Sequence, residues 1–478
     1  MKNEKDGTIL WEAKELKDMF GSFSCDNGSF FGVQSVSIDS RTVGELGLFF
    51  AIKGINNDGH DYVDRAFDNG ACAAVVSRAL HGKSYNTPNV FVVDDTYGAL
   101  LSLSKAARAR FQGKVVEITG SVGKTTIKEM LAYLLGLQSH CHASPKSFNN
   151  RYGVPLTLAN MSRHDDYAII EAGMSNFDEL KSLTELILPD ISFISSICNA
   201  HIGNFKSLMD IAKAKSEIFS CFRGKGVSLI PSDSPFFDFL YKAAKSQGIK
   251  DVFSFGEANR ADAKLIESRM EQNWLSVTGS IFGREVRYRL DTSGEHWISN
   301  SLAVLALVHL IGGDMEQAAE NFFGFKPIEG RGKRHKIKTK KGIEFLLIDE
   351  SYNANPESMA AALRNLGKIN TGANRRIAII ADMKDLGEQN VKLHLSLLPV
   401  IDKYNIDVVF ACGDLMLELY KFIPADKQAG WFPSVNRMIA EFSLEDYVKN
   451  GDVIMVKGSH GMKGNKIVDE LLKLQNDI

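Results

Sequence analysis

The segment from Lys114 to Leu135 constrains this chain more than any other. The apolar run Val115-Val116-Glu117-Ile118 predicts a buried strand, and Thr119-Gly120-Ser121-Val122-Gly123-Lys124-Thr125-Thr126 follows it directly. Beyond the loop, Ile127, Met130, Leu131, Leu134 and Leu135 recur at the spacing of a helix face packed on a sheet. Strand, glycine-containing loop and amphipathic helix make the first part of a βαβ unit, so a parallel sheet has to be built around them. Glycines at 120 and 123 let backbone N–H groups converge on phosphate oxygens. The helix terminus adds its dipole, Lys124 a point charge and Thr125 a hydroxyl suited to Mg2+. The loop therefore predicts a bound nucleoside triphosphate. Its spacing is shorter than the general motif, because Ile118 stands where a first glycine is usual, and a plain turn is the alternative reading.

At 478 residues the chain exceeds one core, and domains of about 100–200 residues make three the natural division. Short apolar runs at 48–52, 73–76 and 90–93, separated by turn residues, predict a small α/β domain, closed by a helix over 97–110. Strand candidates at 115–118, 167–170 and 191–194, with helical stretches between them, predict a central parallel-sheet domain ending after the apolar helix 301–311. Four further strand candidates, 345–348, 377–381, 408–411 and 453–456, each followed by a turn and a helical pattern, predict a Rossmann-like doubly wound domain. The expected fold is α/β in three domains, 1–108, 109–324 and 325–478.

Net charge is −2 with no basic stripe, so nucleic acid is not an expected partner. The six cysteines lie far apart and read as free thiols of a reducing compartment. No apolar run suits a signal peptide or a membrane span, so a cytoplasmic protein without membrane insertion is expected, and a monomer.

Several polar residues sit at strand ends, where ligands gather in such sheets. Glu171 follows Ala168-Ile169-Ile170 and could hold Mg2+ beside Thr125, although a lone strand-end glutamate is more often a cap or a salt-bridge partner. His201 and Lys215, each in isolation, read as surface or hydrogen-bonded side chains. The cluster Asp349-Glu350-Ser351-Tyr352-Asn353-Ala354-Asn355-Pro356 ends a strongly apolar strand. It is at least an Asn-Pro turn with a capped helix starting near Pro356, and loops in that position commonly carry function.

Thr119-Gly120-x-x-Gly123-Lys124-Thr125-Thr126 resembles the shortened phosphate loop of the Mur ligases, the amide-forming enzymes of peptidoglycan precursor synthesis. Ile348 to Met359 resembles the signature of the member that joins D-alanyl-D-alanine to UDP-N-acetylmuramoyl-tripeptide. Other segments fall in the family's order: Asp39-Ser40-Arg41 with Asp58-Gly59-His60, Asn149-Asn150-x-x-Gly153-Val154-Pro155, Glu171-Ala172-Gly173-Met174, Ala200-His201, Ala214-Lys215-Ser216-Glu217, Gly330-Arg331-Gly332 and Lys457-Gly458-Ser459. Ser196, Pro231, His460 and Asn465 depart from the family's usual residues.

The resemblance implies roles. ATP binds Gly120 to Thr126 with Arg331 and Asp349; UDP-substrate and dipeptide meet Ser40, Arg41, Asn149, Asn150, Tyr352, Asn353 and Asn355. Two Mg2+ ions are implied, one on Thr125 and Glu171, the other on His201 and Lys215, the lysine carrying a CO2-derived carbamate. Lys124, His201 and Lys215 are the implied catalytic residues. The small first domain would hold UDP. The implied reaction phosphorylates the tripeptide carboxylate and lets the D-alanyl-D-alanine amine displace phosphate. The rivals are the related ligase that adds the third amino acid and, from another class, a phosphate-loop kinase or a non-catalytic nucleotide-binding module.

Overall fold

The structure is a computed structural model that describes residues 8–21, 30–78, 89–199, 202–222, 224–271, 274–292, 294–369 and 374–475. Three main sheets follow one another along the chain. Ser35–Ser37, Gly47–Phe50, Ala71–Val76 and Val90–Val92 form a four-stranded, all-parallel sheet in sequence order. The helix Thr96–Arg110 closes this unit, its amino terminus capped by Asp95, whose carboxylate accepts from the amides of Tyr97 and Gly98.

The central sheet has nine strands. Lys114–Thr119 lies between Tyr167–Glu171 and Ile191–Ile194, both parallel to it, and the parallel array continues through Val227–Pro231 and Asp251–Gly256 to Ala263–Met270. Leu275–Ile281 and Arg284–Leu290 then run antiparallel at the edge. These edge strands alternate buried and exposed residues, as a sheet covered on one face requires. The covering element is the helix His296–Ile311, apolar over most of its circumference, which packs with the helix Lys124–Gly136 against the same sheet face. The apolar run at 301–311 is thus the carboxyl-terminal part of a longer helix.

In the last unit, Glu344–Glu350, Val453–Lys457, Arg376–Ala381, Val408–Cys412 and Gln428–Phe432 are parallel neighbours in that order, with Lys333–Lys338 antiparallel at the edge. Glu344–Glu350 delivers Asp349 to Pro356 to the sheet's carboxyl end. This unit also meets the central one: Gly203 N donates to the Asp385 carbonyl at 3.1 Å, and the Asn199 amide to Glu357 at 3.1 Å. No helix among the described residues is long and apolar enough to cross a membrane.

Candidate active site

The phosphate loop takes its shape from its two glycines. Gly120 has φ +142°, and a Cβ there would lie 1.9 Å from Ser195 Oγ; Gly123, at φ +90°, precedes the first helical residue, Lys124. The loop is tied to the neighbouring strand end. Ser121 N donates to the Ser196 carbonyl at 2.8 Å, Val122 N to Ser196 Oγ at 3.0 Å, and Ser195 Oγ to the Val122 carbonyl at 2.5 Å. Ser196 thus buttresses the loop.

Lys124 Nζ folds back to donate to the Gly120 carbonyl at 2.6 Å. Burial, partly offset by Glu171, lowers its pKa from the usual lysine range. Next to it, Thr125 Oγ1 donates to Glu171 Oε2 at 2.8 Å, and Asn149 Nδ2 donates to Oε1 at 2.7 Å. Glu171 is fully buried at the end of its strand. Hydroxyl and carboxylate therefore share one point at the helix terminus. A hydroxyl and one carboxylate beside a triphosphate site suit Mg2+, which keeps several waters and needs few protein oxygens.

Lys215, in the last turn of the helix Leu208–Ser216, is 3% exposed, and no described carboxylate pairs with it. Burial first, and the Lys124 ammonium second, push its amine well below the usual lysine range. Both lysines open onto one cleft of about 1000 Å3, which also reaches Asn149 to Tyr152, Gly173 to Ser175, and Tyr97 and Lys105 on the helix of the first unit. His201 lies outside the described residues, so its placement against Lys215 is not part of this geometry.

From the last unit, Arg331 Nη2 donates to Ser147 Oγ at 3.3 Å, and Ser147 Oγ lies 3.2 Å from Thr125 Oγ1. The Arg331 guanidinium also sits 4.2 Å from the centre of the Tyr352 ring, which lies 5.5 Å from the His460 ring. Arg331 is thus brought to the phosphate loop.

The remaining polar residues of the last cluster are engaged locally. Asp349, 4% exposed, accepts from Gly330 N at 2.7 Å and from Ser351 N and Oγ at 3.0 and 2.6 Å. Asn353 Oδ1 accepts from Ala354 N, while its carbonyl accepts from Lys457 Nζ at 3.0 Å. Asn355 forms a capping box with Ser358 at the start of the helix Pro356–Lys368. Asn150 likewise accepts from Tyr152 N and Gly153 N, opening the helix Gly153–Ala159.

Ser40 and Arg41 do not line the cleft. Ser40 is buried, with its carbonyl accepting from Asn69 Nδ2, and Arg41 is exposed in a bidentate pair with Asp39, whose pKa its hydrogen bonds lower to about 2. Lys128, Ser144 and Ser147 also belong to the site, although no motif marks them. Lys128 is fully buried and donates to the carbonyls of Ser144 and Lys146, and Ser144 Oγ accepts from Glu171 N at 3.0 Å, so the three fix the wall behind Thr125. The sequence signal for it is Lys128 itself, a lysine beside Ile127 and three residues before Leu131 on the apolar helix face.

Family models match the chain in three consecutive parts: a Mur ligase family catalytic domain over 32–109, a Mur ligase middle domain over 118–308 and a Mur ligase glutamate ligase domain over 333–460. The UDP-N-acetylmuramoyl-tripeptide–D-alanyl-D-alanine ligase of Rickettsia prowazekii (strain Madrid E) is 31% identical over 461 residues, 96% of this chain and 99% of that protein. The chain belongs to the Mur ligase family. Among solved Mur ligases, the UDP-N-acetylmuramoylalanyl-D-glutamyl-2,6-diaminopimelate–D-alanyl-D-alanyl ligase of Acinetobacter baumannii superposes with a TM-score of 0.80 at 25% identity, covering 98% of this chain and 100% of that one. The MurF ligase of Thermotoga maritima in complex with ADP gives 0.74 at 24% identity, covering 92% and 97%. This Mur ligase therefore shares the three-domain α/β architecture, with its phosphate loop in the middle domain.

Proposed function

We propose that this Mur ligase uses ATP to join D-alanyl-D-alanine to the free carboxylate of UDP-N-acetylmuramoyl-tripeptide, releasing ADP and phosphate. The observation that carries the reading is the end-to-end match to a ligase of that name, through all three domains in order. We assign residues 1–108 to the UDP moiety, 109–324 to ATP and 325–478 to the incoming dipeptide.

A carboxylate is an inert acyl donor because oxide is a very poor leaving group. Transfer of the γ-phosphoryl group makes an acyl phosphate, from which the dipeptide amine displaces phosphate as the amide bond forms. The first step brings an anionic carboxylate to an anionic phosphate, so the protein's task is electrostatic rather than nucleophilic. Backbone N–H groups of Gly120 to Thr126 hold the phosphates, and Lys124 leaves the Gly120 carbonyl to meet the γ-phosphate. Arg331, already beside Ser147, adds a second cation from the last domain. Tyr352 supports that guanidinium, and Asp349 fixes the Gly330 turn that carries it.

Thr125 and Glu171 would hold one Mg2+. Lys215, as carbamate, and His201 would hold a second. Such ions, when bound, neutralise the charge that accumulates between carboxylate and γ-phosphate. The Lys215 amine suits carbamate formation, being buried, unpaired by any described carboxylate and deprotonated far more readily than an ordinary lysine. Its nitrogen would attack CO2, forming an N–C bond and releasing one proton to water. Use of ATP and a UDP-linked substrate supports a cytoplasmic location, and the chain is proposed to act as a monomer.

The test is ADP release with UDP-N-acetylmuramoyl-tripeptide and D-alanyl-D-alanine, set against the corresponding dipeptide nucleotide with single diamino acids. Turnover with the first pair alone is the expected result. Turnover only with the second would assign the chain to the step that adds the third amino acid, and a stable phosphorylated product without amide would make it a kinase.

A further inference from the structure

One strongly basic group in the cleft has no task in the chemistry described above. Arg151 is exposed, lines the cleft between Asn150 and Tyr152, and pairs with no described carboxylate. It is nevertheless held in place. Its Nη2 donates to Tyr152 Oη at 2.8 Å, its guanidinium lies 4.7 Å from the centre of the Tyr152 ring, and its carbonyl accepts from Tyr97 Oη at 3.0 Å. Tyr97 and Tyr152 meet edge to face at 5.3 Å, which joins the first domain's helix to this segment. A stacked guanidinium has lost much of its conformational freedom and offers its remaining N–H groups to a planar anion.

Position decides which anion. Arg151 lines the same cleft as Lys124 and Lys215, two residues along the chain from Asn149, which donates to Glu171. The cleft is lined both by Lys124 and Lys215 and by Tyr97 and Lys105 on the first domain's helix. A substrate with its nucleotide in the first domain and its terminal carboxylate at Lys124 would lay its peptide in this cleft, which Arg151 lines. We infer that Arg151 binds a second, non-reacting carboxylate on that peptide and so helps select the substrate.

This rests on the ligase reading above. Two parts of such a peptide carry that chemistry. A glutamyl residue keeps one free carboxylate, and a 2,6-diaminopimelyl residue activated at one carboxyl keeps its other one. The Acinetobacter ligase is named for a substrate containing both residues.

The experiment is steady-state kinetics of the wild type, Arg151→Ala and Arg151→Lys with three nucleotide substrates. One carries glutamyl and diaminopimelyl residues, one has the glutamyl carboxylate converted to amide, and one has lysine in place of diaminopimelate. Loss of a charged hydrogen bond is expected to raise the KM of Arg151→Ala for the first substrate about 10- to 100-fold, with kcat within about threefold and the KM for ATP and D-alanyl-D-alanine unchanged. Arg151→Lys should recover part of the loss, since it keeps the charge without the planar fork. In the wild type, one of the two altered substrates should show the same KM penalty, and that penalty should vanish in Arg151→Ala; the substrate that behaves so identifies the carboxylate. Unchanged KM in Arg151→Ala, or penalties that simply multiply for both altered substrates, would overturn the inference while leaving the ligase reading standing. Absence of any D-alanyl-D-alanine-dependent turnover in the wild type would instead overturn the reading beneath it.

Discussion

Two polar clusters, each at the carboxyl end of an apolar strand, spend their side chains differently. Around the phosphate loop, Lys215 is buried without a described anionic partner, and among the described residues Lys124 has only loop carbonyls at hydrogen-bond distance. In Asp349 to Pro356, nearly every polar side chain is consumed locally: Asp349 by Gly330 and Ser351, Asn353 by Ala354, Asn355 by Ser358. Buried charge without a partner is costly, and a fold keeps it where a ligand completes the site. The first cluster is therefore built to receive charge, and the second to hold Arg331 and Tyr352 in place. Substitutions in the first should damage turnover with little effect on folding, and those in the second should damage folding first and reach turnover only through Arg331.

The largest effect is expected at Lys215. Lys215→Ala should lower kcat by about 10²- to 10³-fold, the scale for losing one preorganised electrostatic group, with thermal stability unchanged or raised because a desolvated amine is gone. Short carboxylic acids should restore part of the rate if the lysine acts as a carbamate. Normal activity in Lys215→Ala would break the contrast outright. A related outcome concerns pH. Because burial depresses the amine's folded pKa, it stays neutral to lower pH than an ordinary lysine, and acidification through that lowered value protonates it and removes the carbamate. Activity and the 13C signal of labelled carbamate should then fall together as pH drops; a carbamate signal that persists while activity is lost would separate the two.

Asp349 should come next, with its effect divided between stability and rate. Asp349→Ala leaves the amides of Gly330 and Ser351 without their acceptor inside the protein, at about 1–3 kcal/mol for each group left unpaired. Thermal denaturation should show that loss, and the KM for ATP should rise as the Gly330–Arg331 turn loosens. A variant as stable as the wild type but without activity would instead make Asp349 a direct nucleotide contact, moving it into the first cluster.

How much of this was legible beforehand follows the physics of each element. Buried parallel strands are continuous apolar runs, so 115–118, 167–170, 191–194, 377–381 and 453–456 each fall inside an observed strand. The antiparallel edge strands Leu275–Ile281 and Arg284–Leu290 went unread because one face is wet and every second residue is polar. Lys333–Lys338, with four basic residues, reads as a solvated stretch; its place is set by pairing along Glu344–Glu350, which local sequence does not encode. The same limit applies to the site. Thr125 beside Glu171 was predictable from strand ends and loop, whereas Ser196 on Val122, Lys128 on Ser144 and Arg331 on Ser147 join residues far apart in the chain.

Asn355 gives the smallest effect and the finest test of the contrast. Its side-chain oxygen accepts from Ser358 N at 2.8 Å, and Ser358 Oγ lies 3.0 Å from Asn355 N, so both partners of the capping box are already used. If capping is its whole task, Asn355→Ala should cost about 1 kcal/mol, Asn355→Asp or Asn355→Ser should recover most of it, and kcat/KM for D-alanyl-D-alanine should stay within about twofold in all three. A substrate contact would order the same variants differently. Aspartate and serine would keep the cap but lose the amide's donor, so stability would be restored while kcat/KM for the dipeptide fell. Chemical denaturation and dipeptide kinetics on the same three proteins separate these outcomes, because a cap needs only an acceptor and recognition by an amide needs its N–H as well.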